Sequence, residues 1–147
     1  VRRTIGLRNS GHSLVKLMNP VAGTALVVGS YTHPEYFESM AATFELMGSN
    51  AMLLRGTEGE PVADPRRHPA MTAVLRGQLQ PLQENQRGTL TDLPALPPSH
   101  DVESTARYIE NVLAERQPVP APIAQQVQYL TALHRQLRST AAQGATP

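Results

Sequence analysis

The chain has 147 residues, of which 40% are hydrophobic and 17% charged, with a net charge of +1. These values indicate one folded domain and exclude a disordered, highly charged chain. The absence of cysteine excludes disulfides, thiolate metal sites and a cysteine nucleophile. No apolar run approaches the roughly 20 residues of a membrane-spanning helix, and no leader pattern occurs at the start. We therefore expect a soluble cytoplasmic protein without a membrane partner.

The first elements predicted along the chain are a helix and a strand. Apolar residues recur at helical spacing over about 9–18, and Asn19-Pro20 stops that run. The continuous apolar run 25–29 is typical of a strand that is buried on both faces. The chain is thus expected to enter a buried sheet within its first thirty residues.

A helix and a second strand are predicted next. The sequence Thr32-His33-Pro34-Glu35 has the form of a capping box. Apolar residues then follow at helical spacing, and Gly48 is suited to end the helix. The apolar run 51–54 predicts the second strand. Strand, helix and strand in about thirty residues form a βαβ unit, so the two strands should be parallel.

The sequence after this unit gives weaker signals. Glycine and proline mark 56–69 as a loop. Short strand signals follow over 71–75 and 78–82, separated by glycine and interrupted by proline. Asp101 is placed to cap a helix that ends near Arg116.

The C-terminal region is predicted to be a linker followed by a helix. Three prolines, Pro118, Pro120 and Pro122, indicate a stiff connector. A last helix begins near Ile123, and fraying is expected after Ser139. The fold class is therefore α/β, with a partial parallel sheet flanked by helices. Because two parallel strands need neighbours on both sides, we expect further strands upstream of this chain.

The opening of the chain is basic, with no acidic residue among its first twenty. Arg8, His12 and Lys16 recur every four residues, which places them on one face of a helix. Arg2 and Arg3 directly precede that helix. Such a stripe is suited to contact phosphate oxygens. It could equally be a solvated face whose cations pair with acids elsewhere in the fold.

Three acids, Glu58, Glu60 and Asp64, occupy the loop after the second predicted strand. Ligand sites of open α/β sheets gather at the carboxyl ends of strands, where carboxylates can hold a Mg²⁺ ion bound to a phosphorylated substrate. The alternative is a polar turn in which these acids pair with Arg66 and Arg67. The histidines show no zinc spacing.

The first twenty residues carry the pattern Arg-Arg-Thr-Ile-Gly-Leu-Arg followed by Leu-Met-Asn-Pro. This pattern resembles the central segment of the anthranilate phosphoribosyltransferase superfamily (glycosyl transferase family 3), in register to about Asp64. The segments most similar to its YbiB-type branch, which is implicated in nucleic-acid binding, are 31–36, 53–61, 63–67 and 118–123. The resemblance implies that 1–140 are the C-terminal part of a phosphoribosyltransferase-like (nucleoside phosphorylase/phosphoribosyltransferase) catalytic domain, with 141–147 as a disordered tail.

The resemblance also assigns expected roles to single residues. Arg2 matches an arginine that contacts the anthranilate carboxylate in the transferases, whereas His12 and Lys16 replace an asparagine and a proline. The adjacent Asp-Glu pair that binds Mg²⁺ in the family is matched by Glu58 and Glu60, which Gly59 separates. The glycine-rich loop for phosphoribosyl pyrophosphate belongs to the upstream half. We therefore expect this piece alone to hold no cofactor and to lack transferase activity.

Two functions remain as hypotheses at this point. The first is nucleic-acid binding, to DNA or RNA, through sequence-independent phosphate contacts. The residues assigned to it are Arg2, Arg3, Arg8, His12 and Lys16, with Arg55, Arg66 and Arg67 as an extension of the basic patch. The second is a transferase that uses phosphoribosyl pyrophosphate and Mg²⁺, performed by a longer parent protein. The resemblance implies that such a parent forms homodimers through an upstream helical domain. A purely structural role in assembly is a third option.

Overall fold

A computed structural model of the protein describes residues 14–56, 60–93 and 95–143. Within these ranges four strands and three α-helices follow a short 3-10 turn, Val15–Leu17. In chain order they are β1 (Leu26–Tyr31), α1 (Pro34–Leu46), β2 (Asn50–Arg55), β3 (Met71–Leu75), β4 (Gln78–Gln83), α2 (Val102–Leu113) and α3 (Ala121–Gln143). None of the helices in the described ranges is both long and apolar enough to cross a membrane.

The four strands form one mixed sheet in the order β1-β2-β3-β4. β1 and β2 are parallel, from Leu26 beside Asn50 to Tyr31 beside Arg55, which confirms the prediction for the first two strands. β3 pairs antiparallel with β2, and β4 pairs antiparallel with β3. The sheet is therefore mixed: its first half is parallel, as predicted, and its second half is antiparallel. The reason is that a two-residue connection joins β3 to β4, and a connection this short can only make a hairpin.

The hairpin turn consists of Arg76 and Gly77, whose φ angles are 52° and 71°. Positive φ at both central residues is the geometry that matches the twist of paired strands. The side-chain Oδ1 of Asn50 accepts the Arg76 backbone N–H at 3.3 Å. β4 is the outer strand, and its Pro81 is tolerated there because an outer strand can lack a backbone donor.

Side chains of β2 alternate between two apolar clusters on opposite faces of the sheet. Ala51 and Leu53 pack with Phe44 of α1. Met52 and Leu54 pack with the cluster that includes Leu133 of α3. Because both faces of the strand are covered, the run is continuously hydrophobic and does not alternate in polarity.

The structure confirms the predicted C-terminal stop of α1 but not its predicted N-terminal capping box. Gly48 has φ of 60° and follows the C-cap residue Met47, while the Ser49 N–H bonds the Phe44 carbonyl at 3.0 Å, which confirms the predicted stop. The predicted capping box is wrong. His33 occupies the N-cap position and makes no side-chain capping bond. Instead, its Nδ1 pairs with the Thr32 hydroxyl at 2.9 Å.

α2 begins as predicted but ends slightly early. Its N-cap residue Asp101 accepts the Ser104 backbone N–H at 2.8 Å. This bond and those to the Ser99 and Ser104 hydroxyls lower the pKa of the Asp101 carboxyl to about 2. None of the residues of α2 is buried. The helix stops at Leu113, because Glu115 takes a left-handed φ of 57°.

α3 differs from its prediction at both ends. It starts at Ala121, so the buried Pro122 lies in the first helical turn and not in a linker. It continues to Gln143, beyond Ser139, where fraying was expected. Of the helix predicted over about 9–18, the part within the described ranges contains the 3-10 turn Val15–Leu17; residues 9–13 lie outside them.

Candidate functional site

A cleft of about 520 Å³ lies at the edge of the sheet where β1, β2 and β4 end and β3 begins. Four segments line it: 32–33 after β1, 55–56 at the end of β2, 64–69 before β3, and 85–88 after β4. The start of α1 lies at the same ends of the strands. We call this side of the sheet, which is formed by strand ends and not by an outer strand, the cleft edge. Ligand sites of open α/β sheets commonly occur at such positions, because loops from several strands converge there.

The first cation of the cleft, Arg55, is fixed by the backbone of the sheet. It is the last residue of β2, and its N–H donates to the Ala70 carbonyl at 3.0 Å. The next residue, Gly56, donates to the Tyr31 carbonyl at 2.9 Å. Partial burial raises the pKa of the Tyr31 phenol, and the nearby charge of Arg55 opposes that rise. Arg55 is therefore held where β1 and β2 end together.

Two further cations, Arg67 and Arg87, come from loops that hydrogen bonds join to each other. The Gln86 N–H bonds the His68 carbonyl at 3.1 Å, and the Leu90 N–H bonds the Arg66 carbonyl at 2.8 Å. The loop before β3 and the loop after β4 therefore run side by side. As a result, one cleft receives guanidinium groups that are separated by twenty positions in the sequence.

Asp64 is the carboxylate of this cleft, and it binds two arginines. Its Oδ1 accepts from Arg66 Nε at 3.0 Å, and its Oδ2 pairs with Arg67 Nε at 3.2 Å. The Asp64 side chain is 9% exposed, whereas the two arginine side chains are about half exposed. Burial raises the pKa of Asp64, but the hydrogen bonds from Arg66 and the charges of both arginines outweigh it and lower that pKa overall. Asp64 therefore matches the alternative stated for the sequence, a polar turn in which the acid pairs with Arg66 and Arg67.

Gln126 of α3 anchors the loop that carries Asp64. Its Oε1 accepts the Ala63 N–H at 2.8 Å, and its Nε2 donates to the Pro61 carbonyl at 2.8 Å. Gln126 is only 4% exposed, so both bonds are shielded from water. No sequence pattern indicates this role, because a glutamine on a helix is usually a surface residue and its partners lie more than sixty positions away.

The structure gathers some of the predicted site residues. Arg55 and Arg67 line the cleft, and Arg66 lies against Asp64 beside it. Lys16 is exposed in the turn Val15–Leu17, and Glu60 is half-buried in the loop after β2. The predicted site residues that lie outside the described ranges are Arg2, Arg3, Arg8, His12 and Glu58. Arg87 was not predicted, and the only sequence signal for it is its position in a polar, glycine-containing loop.

The lining of the cleft is basic. Three guanidinium groups and one carboxylate line it, which gives a net charge of +2 when histidine is counted as neutral. Arginine is suited to bidentate contacts with phosphate oxygens. Among the residues that the structure describes, no three histidine or acidic side chains are grouped so that they could hold a metal ion. Of the predicted magnesium pair, Glu60 lies within the described residues and Glu58 lies outside them.

Comparison with known proteins gives one informative likeness. No family model matches the chain. The chain is 41% identical over 121 residues to a protein of Escherichia coli (strain K12) described as "Uncharacterized protein YbiB". The aligned part makes up 82% of this chain and 37% of the relative. The chain thus spans well under half the length of that relative, and it is similar to YbiB over most of its own length.

Proposed function

We propose that this chain is a nucleic-acid-binding module built on a transferase-like α/β scaffold, with contacts to the phosphate backbone that do not depend on sequence. The scaffold would be the C-terminal part of a glycosyl transferase family 3 domain, as the resemblance of the opening motif implies. The observation that carries the proposal is the convergence of Arg55, Arg67 and Arg87 on one cleft from three separate segments.

Arginine clusters favour phosphate because each guanidinium can donate two parallel hydrogen bonds to two oxygens. At the cleft edge the cations outnumber the acid, although the net charge of the whole chain is only +1. Attraction to a polyanion therefore comes from local arrangement and not from total charge. The basic opening residues Arg2, Arg3, Arg8, His12 and Lys16 are proposed as further phosphate contacts.

The test is the salt dependence of binding to a fluorescent DNA duplex and to RNA of the same sequence. The logarithm of the association constant should fall against the logarithm of salt concentration, with a slope of about −0.9 for each phosphate contacted on duplex DNA. Changing Arg8 and Lys16 together to alanine should flatten that slope by about two units. Binding that is absent, or that does not respond to salt, would contradict the proposal.

The matched control is the double change Arg135→Ala and Arg138→Ala. These exposed residues lie on α3 beside Gln136 and Leu137, which line a different hollow. The control removes the same charge from the chain and should leave the slope close to that of the unchanged protein. An equal loss in both double variants would indicate that net charge alone drives binding.

A second candidate function is phosphoribosyl transfer by a longer parent protein. The position of the cleft at the carboxyl ends of β1 and β2 favours it, since substrates of α/β enzymes bind at such edges. Mg²⁺ held by Glu58 and Glu60 and a homodimer formed upstream belong to this proposal, as does a cytoplasmic location. Product formed by the full-length parent from phosphoribosyl pyrophosphate and an aromatic amine would support it.

A further inference from the structure

We propose that the cleft binds the terminal phosphate of a nucleic-acid strand, a phosphomonoester, in preference to a phosphodiester inside the strand. This inference rests on the proposed function, because it names which phosphate of the nucleic acid enters the cleft. Three properties of the cleft lead to it: its shape, its charge and the way its arginines are held.

The cleft is large enough to take a strand end. The cleft is bounded by four segments of chain, and its volume of about 520 Å³ lies within the range of roughly 300–1,000 Å³ that is usual for small-ligand sites. An internal phosphodiester has a nucleotide on each side, and both must pass along an open groove. A terminal phosphate has a nucleotide on one side only, so it can enter a concave site end-on.

The charge of the cleft matches a dianion. Its net charge of +2 comes from Arg55, Arg67 and Arg87 together with Asp64. An internal phosphodiester carries a single negative charge. A phosphomonoester carries nearly two at neutral pH, because its second pKa is about 6. The terminal phosphate therefore neutralises the cleft more completely than an internal one.

The loops that carry Arg67 and Arg87 are held together before any ligand arrives. Asp64 Oδ2 lies 3.2 Å from Arg67 Nε, and this ion pair restrains the guanidinium of Arg67. Backbone bonds from Gln86 to His68 and from Leu90 to Arg66 fix the loop of Arg87 against the loop of Arg67. Donors that are already ordered lose less side-chain freedom when a ligand binds.

The experiment uses one single-stranded DNA sequence in three forms: with hydroxyls at both ends, with a 5′-phosphate, and with a 3′-phosphate. Affinities are measured by fluorescence anisotropy with an internal label at fixed salt. We expect at least one phosphorylated form to bind about tenfold more tightly than the hydroxyl form, the effect of one additional charged hydrogen bond. The two phosphorylated forms identify which end enters the cleft.

Variants locate the effect. Arg87→Ala leaves both Asp64 ion pairs intact and should remove most of the gain from the end phosphate, and Arg67→Ala with Arg87→Ala should remove all of it. Arg135→Ala with Arg138→Ala should preserve it. Thermal melting of each variant shows whether the fold is retained.

The possible failures are distinguishable. If all three forms bind with equal affinity, the end-phosphate proposal is wrong while nucleic-acid binding stands. If the gain survives in the Arg67 and Arg87 variant, the end phosphate binds elsewhere and the cleft is not its site. If no form binds at all, the proposed function itself is wrong.

Discussion

Arginine occurs at both edges of the sheet. Three arginines line one cavity at the cleft edge, whereas one arginine lines the hollow at the other edge. At the cleft edge, loops before β3 and after β4 bring Arg67 and Arg87 towards Arg55 around a cavity of about 520 Å³. The opposite edge, which we call the turn edge, holds the tight turn Arg76-Gly77 and the end of α3. Its hollow of about 240 Å³ is lined by one arginine together with glutamine, leucine and threonine side chains.

The difference lies in the length of the connections. A two-residue turn must follow the twist of its strands and cannot carry a side chain to a distant partner. The longer loops at the cleft edge can cross the ends of several strands, and hydrogen bonds between them fix their mutual position. Loop architecture, and not the number of cations, therefore determines where arginines gather in this protein.

The largest expected effect comes from releasing the loop at the cleft edge. Gln126→Ala removes the bonds to Ala63 and Pro61, which leaves the buried Ala63 N–H and the partly buried Pro61 carbonyl unpaired. We expect the free energy of unfolding in urea to fall by about 1–3 kcal/mol. Affinity for oligonucleotides should fall too, because the loop carries Asp64 and Arg67. The exposed Gln128 provides the control: Gln128→Ala should change stability by less than about 0.5 kcal/mol.

The next largest effect is predicted at the turn edge. Gly77 has φ of 71°, and no atom lies within 4 Å of an added Cβ, so Gly77→Ala introduces backbone strain without a clash. Stability should fall by about 1–2 kcal/mol, with oligonucleotide affinity unchanged. Gly77→Asn should lose less, since asparagine tolerates this conformation better than alanine. A loss of oligonucleotide affinity in Gly77→Ala would contradict the proposed difference between the cleft edge and the turn edge.

A smaller effect concerns the pH dependence contributed by Asp64. Because its pKa in the folded protein lies below the usual value, this group stabilises the fold above that usual value, near 3.8. The stabilisation is lost as the pH falls through the lowered pKa. Its size should be below about 1 kcal/mol, because both arginine partners are half exposed. The free energy of unfolding, measured between about pH 5 and pH 2, should depend less steeply on pH in Asp64→Asn than in the unchanged protein. The exposed Asp92→Asn should show the same pH dependence as the unchanged protein.

The smallest effect is expected in α2, which belongs to neither edge. Arg107 pairs with Glu103 one helical turn away at 2.6 Å, and both side chains are mostly exposed. Arg107→Ala should lower stability by about 0.2–0.5 kcal/mol and leave oligonucleotide affinity unchanged. A loss well above 1 kcal/mol would show that α2 contributes more to the fold than its exposed surface indicates.

Hydrophobic pattern predicted the elements well where burial dominates. The runs 25–29 and 51–54 correspond to β1 and β2, and their parallel pairing follows from the helix between them. β3 and β4 gave only weak signals, because β4 is a mostly exposed outer strand with glutamine at three of its six positions. Such a strand is stabilised by pairing with its neighbour more than by its own propensity.

The site was predictable only in part. The loop after β2 was recognised from its glycines, prolines and charges, and Arg55, Arg66 and Arg67 were named as a basic patch. The opening cations Arg2, Arg3, Arg8 and His12 stay a prediction. Arg87 and Gln126 could not be found, because each acts through residues distant in sequence and neither belongs to a motif.

The sequence alone determined which segments of this protein are buried, because a continuous apolar run has to be covered on both faces wherever it lies. It also determined that charge is concentrated locally in a chain that is nearly neutral overall. Only the tertiary structure decided which charges meet. That outcome depends on backbone hydrogen bonds between loops at the ends of different strands, and no local pattern of residues encodes such bonds.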